Sequence, residues 1–285
     1  MTGKAYLVGA GPGDPELLTL KAARLLRSAD VVLHDDLVGE KILHLAPAHA
    51  QVYNVGKRCG KKNISQQEIN VLMVTLAASG LHVVRLKGGD PLIFGRIGEE
   101  IAALREANVE FEIVPGITAA LGAAASTRIP LTHRHSSHAL VFLAGHTASG
   151  ADPTDWRALV SLGATIVIYM PGSHYPEIAN KLRTAGFPDD TPCMIVSSAT
   201  TSEEQVYSTN VGDLGDAPRL VTPVLLVVGE VLRHAGHRFS LEKLASPRFG
   251  DWNGWPSGEP SLVMQTIPEL SPNSIAGFGD EEQGA

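Results

Sequence analysis

Several features that mark whole classes of protein are scarce or missing in this chain. It has only two cysteines, Cys59 and Cys193, in 285 residues, and neither their number nor their spacing fits a disulfide framework or a zinc site. Aromatic residues make up 5% of the sequence, which argues against a stacking platform for single-stranded nucleic acid. No apolar run reaches membrane-spanning length, and the first residues lack a signal-peptide pattern. We therefore expect a cytoplasmic protein that has no membrane partner.

Charge of positive sign is also scarce near the end of the chain. The formal net charge is −7, and the segment from Ser240 onward contains seven acidic residues but only two basic ones. An acidic balance gives no general attraction for nucleic acid, so no nucleic-acid partner is expected. The same segment is rich in proline, glycine and serine and has no periodic pattern. Residues 241–285 are therefore predicted to form a flexible acidic tail.

Strand and helix patterns alternate along the first part of the chain. Four apolar stretches, "AYLVGAG", "VVLHDDL", "HVVRLKGG" and "FEIVPG", have the character of buried parallel strands. One intervening helix is predicted to begin at Asp14 and Pro15, and another at Ser65, with Glu68 completing a capping box. Such a βαβ series predicts an open, mostly parallel sheet covered by helices.

A second α/β unit with its own sheet is predicted after an alanine-rich helix and Pro130. Four further strand patterns follow there, "HALVFLAGH", "TIVIYM", "PCMIVSSAT" and "PVLLVVGEV", with helices near residues 156–162 and 176–185. The predicted organisation is an N-terminal α/β domain at 1–115, a C-terminal α/β domain at 116–240, and the tail.

Two glycine-rich turns follow predicted strands. In "VGAGPGDPELLT", Asp14 stands where a dinucleotide fingerprint needs its third glycine, and a carboxylate there would repel pyrophosphate. In "KGGDP", Asp90 could cap a helix that begins at Pro91, or accept hydrogen bonds from ribose hydroxyls or an ammonium group. Gly88 and Gly89 allow positive φ or close approach of a ligand. S-adenosylmethionine, with a ribose, an amino group and a sulfonium, suits this edge better than a phosphate ligand does.

Charged residues cluster at three further places. Arg96 and Glu99 follow the second turn with Glu100, off an apolar stripe of the predicted helix, and can form either an exposed ion pair or part of a site. The loop "GKRCGKK", residues 56–62, is either solvated or an anchor for a polyanionic substrate. The stretch "PLTHRHSSH" contains three histidines but no cysteine or carboxylate that would complete a metal site, so no metal is expected.

These motifs together resemble the tetrapyrrole methylase family. The resemblance is carried by "VGAGPGDPELLTLKA", "GKRCGKKNISQQEIN", "VVRLKGGDPLIFGRIGEE", "VPGITAA" and "IPLTHR", which cover residues 5–134 densely, and by the strand pattern to about residue 236. It implies two α/β domains with a cleft between them and a homodimer. The chain departs from the usual family residues at four positions, namely His34 for Tyr, Lys62 for His, and Ile97 and Arg128 for Gly.

The resemblance also implies a reaction and its site. The reaction transfers methyl groups from S-adenosylmethionine to C2 and C7 of uroporphyrinogen III, giving precorrin-2 and S-adenosylhomocysteine, for sirohaem, cobalamin or related haems. The residues that it implies for methyl-donor binding are Pro12, Gly88, Gly89, Asp90, Ile93, Thr118, Ala119, Met170 and Ala199. The substrate carboxylates are expected to bind the basic residues Lys57, Arg58, Lys62 and Arg134.

Four residues are candidates for catalysis. Arg96, oriented by Glu99, is the candidate for electrostatic positioning at the reacting ring, because arginine stays protonated. Asp35 and His146, both at predicted strand ends, are the candidate proton acceptors, and histidine has the more suitable ordinary pKa.

Three alternatives stay open on sequence alone. A sister enzyme could methylate a later corrin precursor or another small acceptor, although the "GKR" loop disfavours it. A nicotinamide-dependent oxidoreductase is disfavoured by Asp14. A non-catalytic nucleotide-binding protein is disfavoured by the intact turns and their charged neighbours.

Overall fold

The computed structural model describes residues 3–56, 64–145, 153–235 and 265, together with the backbone of residues 242–243. The chain divides into two compact units between Thr118 and Ala119, a few residues beyond the predicted boundary, and Gln265 belongs to the first unit. Both units are α/β in architecture, as predicted. Among the described residues, no helix is long and apolar enough to cross a membrane.

The first unit is built on a five-stranded parallel sheet. Its strands are β1 (Lys4–Gly9), β2 (Val31–His34), β3 (Gln51–Asn54), β4 (His82–Lys87) and β5 (Glu110–Val114), in the order β3-β2-β4-β1-β5. The neighbouring strands of this sheet all pair in parallel. The predicted parallel sheet is confirmed, and β3 is an edge strand that the sequence patterns do not predict.

Helices cover both faces of this sheet, which explains why its strands are apolar on successive residues. The helices are α1 (Leu20–Leu26), α2 (Glu40–Leu43), α3 (Gln66–Ala78) and α4 (Ile97–Glu106). Val8, Val32 and Val84 pack on one face with α1 and α2. Leu7, Leu33 and Val83 pack on the other with α3 and α4.

Two predicted helix starts have different outcomes. Ser65 and Glu68 form the predicted capping box of α3, with the Ser65 backbone N–H donating to Glu68 at 2.7 Å. By contrast, Asp14 and Pro15 begin only a short 3₁₀ helix at Pro15–Leu17, and α1 begins later with Thr19 as its cap. The continuous helix predicted from Asp14 was therefore wrong.

The second unit contains a six-stranded mixed sheet. Its strands are β6 (Leu140–Ala144), β7 (Thr165–Tyr169), β8 (Pro192–Ser197), β9 (Gln205–Asn210), β10 (Val224–Val228) and β11 (Glu242–Lys243), in the order β11-β9-β8-β10-β7-β6. Strands β6 and β7 pair in parallel, and the other described pairs are antiparallel. The helices are α5 (Ala119–Thr127), α6 (Trp156–Ser161) and α7 (Tyr175–Ala185). β9 is not predicted from the sequence, and β11 lies inside the predicted tail.

Candidate active site

Three strand-to-helix turns meet at the carboxyl edge of the first sheet. Gly11 and Gly89 form a small antiparallel bridge, in which the Gly89 N–H donates to the Gly11 carbonyl at 2.7 Å and the Gly11 N–H donates to the Gly89 carbonyl at 3.1 Å. A Cβ atom on Gly116 would lie 2.4 Å from the Gly89 carbonyl oxygen and 2.9 Å from the Cα of Gly9. The turns after β1, β4 and β5 therefore pack backbone against backbone, in the region where ligands of parallel α/β sheets bind.

The two glycines of the "KGGDP" turn have structural reasons of their own. Gly89 has a φ of 68°, which side chains rarely adopt. A Cβ atom on Gly88 would lie 2.9 Å from the Cβ of Leu37. Packing and backbone geometry thus account for the double glycine without a ligand.

Asp90 ties two of the turns together. Its Oδ1 accepts a hydrogen bond from the Leu92 N–H at 2.7 Å, and its Oδ2 accepts one from the Gly116 N–H at 2.9 Å. The helix predicted to start at Pro91 starts instead at Ile97, so Asp90 does not cap it. A carboxylate has about four lone-pair sites, so Asp90 keeps acceptor capacity beyond these two bonds.

The other donor-binding candidates of the first unit belong to the same turns. Pro12 comes directly after the bridged Gly11, and Ile93 is a half-buried residue whose N–H donates to the Asp90 carbonyl at 3.2 Å. Thr118 is 7% exposed and comes shortly after Gly116. The structure therefore brings Pro12, Asp90 and Gly116 together at one sheet edge.

The candidates of the second unit lie at one edge of its sheet. Met170 follows β7 and Ala199 follows β8, and β10 pairs antiparallel with both strands, so these two strand ends point the same way. Met170 has a φ of 51° and is 45% exposed. The Gly145 N–H donates to the Tyr169 carbonyl at 2.7 Å. Non-glycine residues held at positive φ are concentrated at functional sites.

Glu204 is a residue at this second edge that the sequence patterns do not reveal. Its carboxylate accepts a hydrogen bond from the Thr200 N–H, directly after Ala199, and is 4% exposed. Burial raises the pKa of this carboxyl, partly offset by the hydrogen bonds from Thr200 and Ser126. Glu204 fixes the turn in which Ser198 and Thr200 both have positive φ. Ala119 begins α5 in the same unit.

Arg96 and Glu99 form an ion pair with two hydrogen bonds. The Nε of Arg96 donates to Glu99 at 2.7 Å and a terminal nitrogen donates at 2.8 Å. The side chains are 50% and 48% exposed. Arg96 has a φ of 53° and stands immediately before α4. The predicted pairing is present, and the pair follows the "GGDP" turn along the chain.

Glu100 does not belong with that exposed pair. It is 0% exposed, and its Oε1 accepts hydrogen bonds from Arg85 Nε at 2.9 Å and from Lys87 Nζ at 2.9 Å. The expectation that all three charges lie off the apolar stripe was therefore wrong for Glu100. Arg85 and Lys87 were missed, although charges inside a strand covered on both faces require buried partners.

Asp35 follows β2 and is bound to the same charged group. Its Oδ1 accepts a hydrogen bond from a terminal nitrogen of Arg85. The preceding residue, His34, is 3% exposed, and its Nδ1 lies 3.0 Å from the Asp35 carbonyl. Burial lowers the pKa of His34 below its ordinary value.

The remaining predicted site residues are placed as follows. Arg134 is an exposed residue in a turn closed by the His133 N–H, which donates to the Ser137 carbonyl at 2.9 Å. The His133 and His234 rings stack at 3.9 Å. Within the part of the chain that the structure describes, no group of three or more His, Cys, Asp or Glu residues could hold a metal ion. Lys57, Arg58, Lys62 and His146 lie outside the described residues.

Known proteins resemble the chain over most of its length. The pattern of the Tetrapyrrole (Corrin/Porphyrin) Methylases matches residues 4–215. A uroporphyrinogen-III C-methyltransferase from Paracoccus denitrificans is 48% identical over 233 residues, which are 80% of this chain and 81% of the relative. A siroheme synthase from Pseudomonas paraeruginosa is 46% identical and matches 81% of this chain. The chain spans only 50% of that synthase, so the activity of the other half of the synthase does not carry over to this chain.

Solved structures agree with the sequence relatives. The uroporphyrin-III C-methyltransferase from Thermus thermophilus, complexed with S-adenyl homocysteine, has a TM-score of 0.71 and 40% identity, covering 81% of this chain and 100% of that one. A cobalt precorrin-4 methyltransferase has a TM-score of 0.73 and 30% identity, covering 80% and 95%. The match of motifs, sequence and fold over this length confirms the predicted family: the chain belongs to the tetrapyrrole methylases.

Proposed function

We propose that this chain is an S-adenosylmethionine-dependent C-methyltransferase that methylates uroporphyrinogen III at C2 and C7 and yields precorrin-2. The observation that carries the proposal is the 48% identity to the Paracoccus uroporphyrinogen-III C-methyltransferase across 80% of this chain and 81% of the relative. The Thermus structure, which contains S-adenyl homocysteine, supports S-adenosylmethionine as the methyl donor.

Residues of each unit are proposed to bind the donor. Its binding residues are Pro12, Gly88, Gly89, Asp90, Ile93, Thr118, Ala119, Met170 and Ala199. Asp90 accepts hydrogen bonds from the ribose or the amino group with the lone pairs that Leu92 and Gly116 leave. Because Asp90 also joins two turns, the same carboxylate orders the backbone that surrounds the donor. Glu204 has the corresponding ordering role for the turn that contains Ala199.

The chemistry is a displacement in which position and exclusion of water supply much of the rate. S-adenosylmethionine supplies a methyl group on a sulfonium. Transfer breaks the sulfur–methyl bond and forms a carbon–carbon bond with an electron pair of the reduced macrocycle, after which the macrocycle loses a proton. Asp35 and His146 are the candidates that accept this proton, and Asp35 is the one that lies within the described residues.

Positive side chains hold the eight carboxylates of the acceptor. Arg96, fixed by Glu99 through two hydrogen bonds, acts at the reacting ring by electrostatic positioning. Lys57, Arg58, Lys62 and Arg134 anchor the outer carboxylates. Arg96 thus acts in the transition state, whereas the four anchoring residues bind the substrate equally in the ground state and the transition state.

A methyltransferase acting on a later corrin precursor is the second candidate. Its support is the cobalt precorrin-4 methyltransferase structure, whose TM-score of 0.73 is as high as that of the Thermus enzyme, at 0.71. Sequence identity separates the two structures, at 30% and 40%, and favours uroporphyrinogen III. A nicotinamide-dependent oxidoreductase is not favoured, because Asp14 stands where the dinucleotide fingerprint needs its third glycine. Its side chain accepts a hydrogen bond from the Glu16 N–H at 2.8 Å.

We further expect a cytoplasmic homodimer without a membrane or nucleic-acid partner. Light scattering of the purified chain tests whether it is a dimer. An anaerobic assay with labelled S-adenosylmethionine and a panel of tetrapyrroles tests the function itself. We expect methylation of uroporphyrinogen III and little or none of the later corrin precursors. Preference for a later precursor would replace the proposed substrate with the second candidate.

A further inference from the structure

A guanidinium that makes four hydrogen bonds lies under the carboxyl edge of the first sheet. Arg85, on β4, is 2% exposed. Its Nη1 donates to the carbonyls of Leu33 at 3.2 Å and Leu86 at 3.3 Å. Its Nε donates to Glu100, and its Nη2 donates to Asp35. One rigid, planar group therefore joins a helix, two strands and a strand-end carboxylate.

Glu100 fixes this guanidinium from the opposite side. Its Oε1 accepts from Arg85, from Lys87 and from the Gln66 side chain, the last at 3.3 Å. Burial opposes the charge on Arg85, but Asp35 and Glu100 raise the pKa of Arg85 above its ordinary value. Burial and the neighbouring Arg85 lower the pKa of Lys87, although Glu100 opposes this shift. Arg85 thus stays charged between two carboxylates.

Stability alone does not account for such a cluster, because buried ion pairs are often no more stabilising than apolar residues of the same volume. Its members differ in their access to solvent. The side chains of Arg85, Lys87 and Glu100 are 0–4% exposed, whereas that of Asp35 is 29% exposed. Asp35 is therefore the member of the cluster that reaches solvent at the edge of the sheet.

We propose that Arg85 and Glu100 are positioning residues for Asp35. Glu100 orients the guanidinium, and the guanidinium holds one oxygen of the Asp35 carboxylate, so that its other oxygen keeps a constant direction at the sheet edge. This inference rests on the proposed function, since it assumes that Asp35 acts in methyl transfer. It adds two residues that touch neither donor nor acceptor.

A double-mutant cycle tests the proposal with the full-length chain. The single variants are Arg85→Lys, Glu100→Gln and Asp35→Asn, and the double variants combine each of the first two with Asp35→Asn. Arg85→Lys keeps the positive charge but loses the planar guanidinium that bonds several partners at once. Asp35→Asn is expected to lower kcat by about 100-fold or more. Arg85→Lys and Glu100→Gln are expected to lower kcat by about 10- to 100-fold, with KM for both substrates near wild type. In the Asp35→Asn background they should have little further effect on kcat.

Leu104→Ala is the matched control for lost stability. Leu104 is 0% exposed on α4 and packs in the apolar core beside this helix, so its truncation lowers Tm without touching the charged cluster. Below its Tm, the control should keep wild-type kcat. Calorimetric binding of S-adenosylhomocysteine establishes that each variant is folded. Where Arg85→Lys does not fold, the cycle with Glu100→Gln provides the same test.

The outcomes separate the possible failures. Lower Tm with unchanged kcat, or kcat losses that multiply with that of Asp35→Asn, would mean that the cluster is only structural and would overturn the positioning role. Absence of uroporphyrinogen III methylation by the wild-type chain would overturn the proposed function as well, and it would be seen before any variant is compared.

Discussion

At the scale of single residues, carboxylates fix the strand ends of both units. Asp90 joins the turns after β4 and β5 through the N–H groups of Leu92 and Gly116. Glu204 fixes the turn after β8 through the Thr200 N–H, and Asp35 is held by Arg85. The sequence motifs predict Asp90 and Asp35. Glu204 has no sequence signal, because its partner is a backbone group brought to it by a turn.

Asp90→Ala should weaken donor binding. Loss of a hydrogen-bond partner to a buried or charged group costs about 1–3 kcal/mol, and the two turns lose the hydrogen bonds that Asp90 accepts from Leu92 and Gly116. Calorimetry with S-adenosylhomocysteine measures the effect, with Glu106→Ala, an exposed residue on α4, as the control. Unchanged affinity in a folded Asp90→Ala variant would remove Asp90 from the donor site.

Arg96 and the basic loop should differ in their kinetic effects. Arg96→Ala is expected to lower kcat by about 100-fold or more, because it removes transition-state positioning. Lys57→Ala and Arg58→Ala should mainly raise KM, with larger effects at low salt. Arg105→Ala, an exposed arginine on α4, is the control in steady-state kinetics. Near-wild-type kcat in Arg96→Ala would make the Arg96–Glu99 pair an ordinary surface ion pair.

His34 should make the folded state sensitive to mild acid. Burial lowers the pKa of His34 from its ordinary value of 6.5, so the unfolded chain binds a proton at a pH where the folded chain does not. The corresponding stability is present above about pH 6.5 and is lost as the pH falls toward the lowered pKa. In His34→Phe, Tm should fall less than in the wild type as the pH is lowered from about 7.5 to about 5.5, the range in which histidine usually titrates. An equal fall in Tm for both proteins would contradict this account.

At the scale of elements, four of the five parallel strands of the first sheet were predictable, and the entry to α4 was not. Strand patterns predicted β1, β2, β4 and β5, because strands covered on both faces are apolar on successive residues. β3 is a short edge strand with polar ends, "QVYN", and so leaves no such pattern. The residues between Asp90 and Ile97 form turns in which Phe94 and Arg96 have positive φ, a geometry that residue spacing does not reveal.

The end of α5 contains a strained position. Arg128 has a φ of 58°. The N–H groups of Arg128 and Ile129 donate to the carbonyls of Ala125 and Ala124, which is the helix-ending arrangement that usually has glycine where Arg128 stands. The departure of Arg128 from the family's glycine thus has a structural meaning.

Arg128→Gly should stabilise the chain. A residue with a Cβ in the left-handed conformation costs about 1–2 kcal/mol, which glycine avoids. Glycine also has more freedom in the unfolded chain, and this offsets the gain by about 0.5–1 kcal/mol. We expect a net increase of about 0.5–1 kcal/mol in the free energy of unfolding, measured in urea. Arg128→Ala removes the charge but keeps the Cβ, so it should change little. Equal stabilisation by alanine would exclude backbone strain as the cause.

At the scale of the whole molecule, two α/β units and the family were predictable from motifs and strand patterns. The partners of the buried charges were not, because Arg85, Glu100 and Asp35 meet only after β2, β4 and α4 have packed. Two observations bear on the predicted tail: β11 pairs with β9, and Gln265 donates its backbone N–H to the Val52 carbonyl at 3.1 Å. Tyr53 also donates to the Gln265 side chain at 3.1 Å.

Deleting residues 245–285 should leave the fold and most activity intact. Within the part of the chain that the structure describes, this deletion removes the hydrogen bonds that Gln265 makes with Val52 and Tyr53, which together are worth about 1–2 kcal/mol. A shorter deletion, 266–285, keeps them and should match the wild type in Tm. A large fall in Tm, or loss of the proposed homodimer, for the longer deletion alone would show that the tail contributes substantially to the folded structure.

The acceptor and the carbons that are methylated define the activity proposed for this chain. The most direct measurement is nuclear magnetic resonance of the product formed anaerobically by the purified chain from uroporphyrinogen III and S-adenosylmethionine with an isotope-labelled methyl group. We predict labelled methyl groups at C2 and C7 and formation of S-adenosylhomocysteine. Label at any other carbon, or an unchanged tetrapyrrole alongside intact S-adenosylmethionine, would contradict the account.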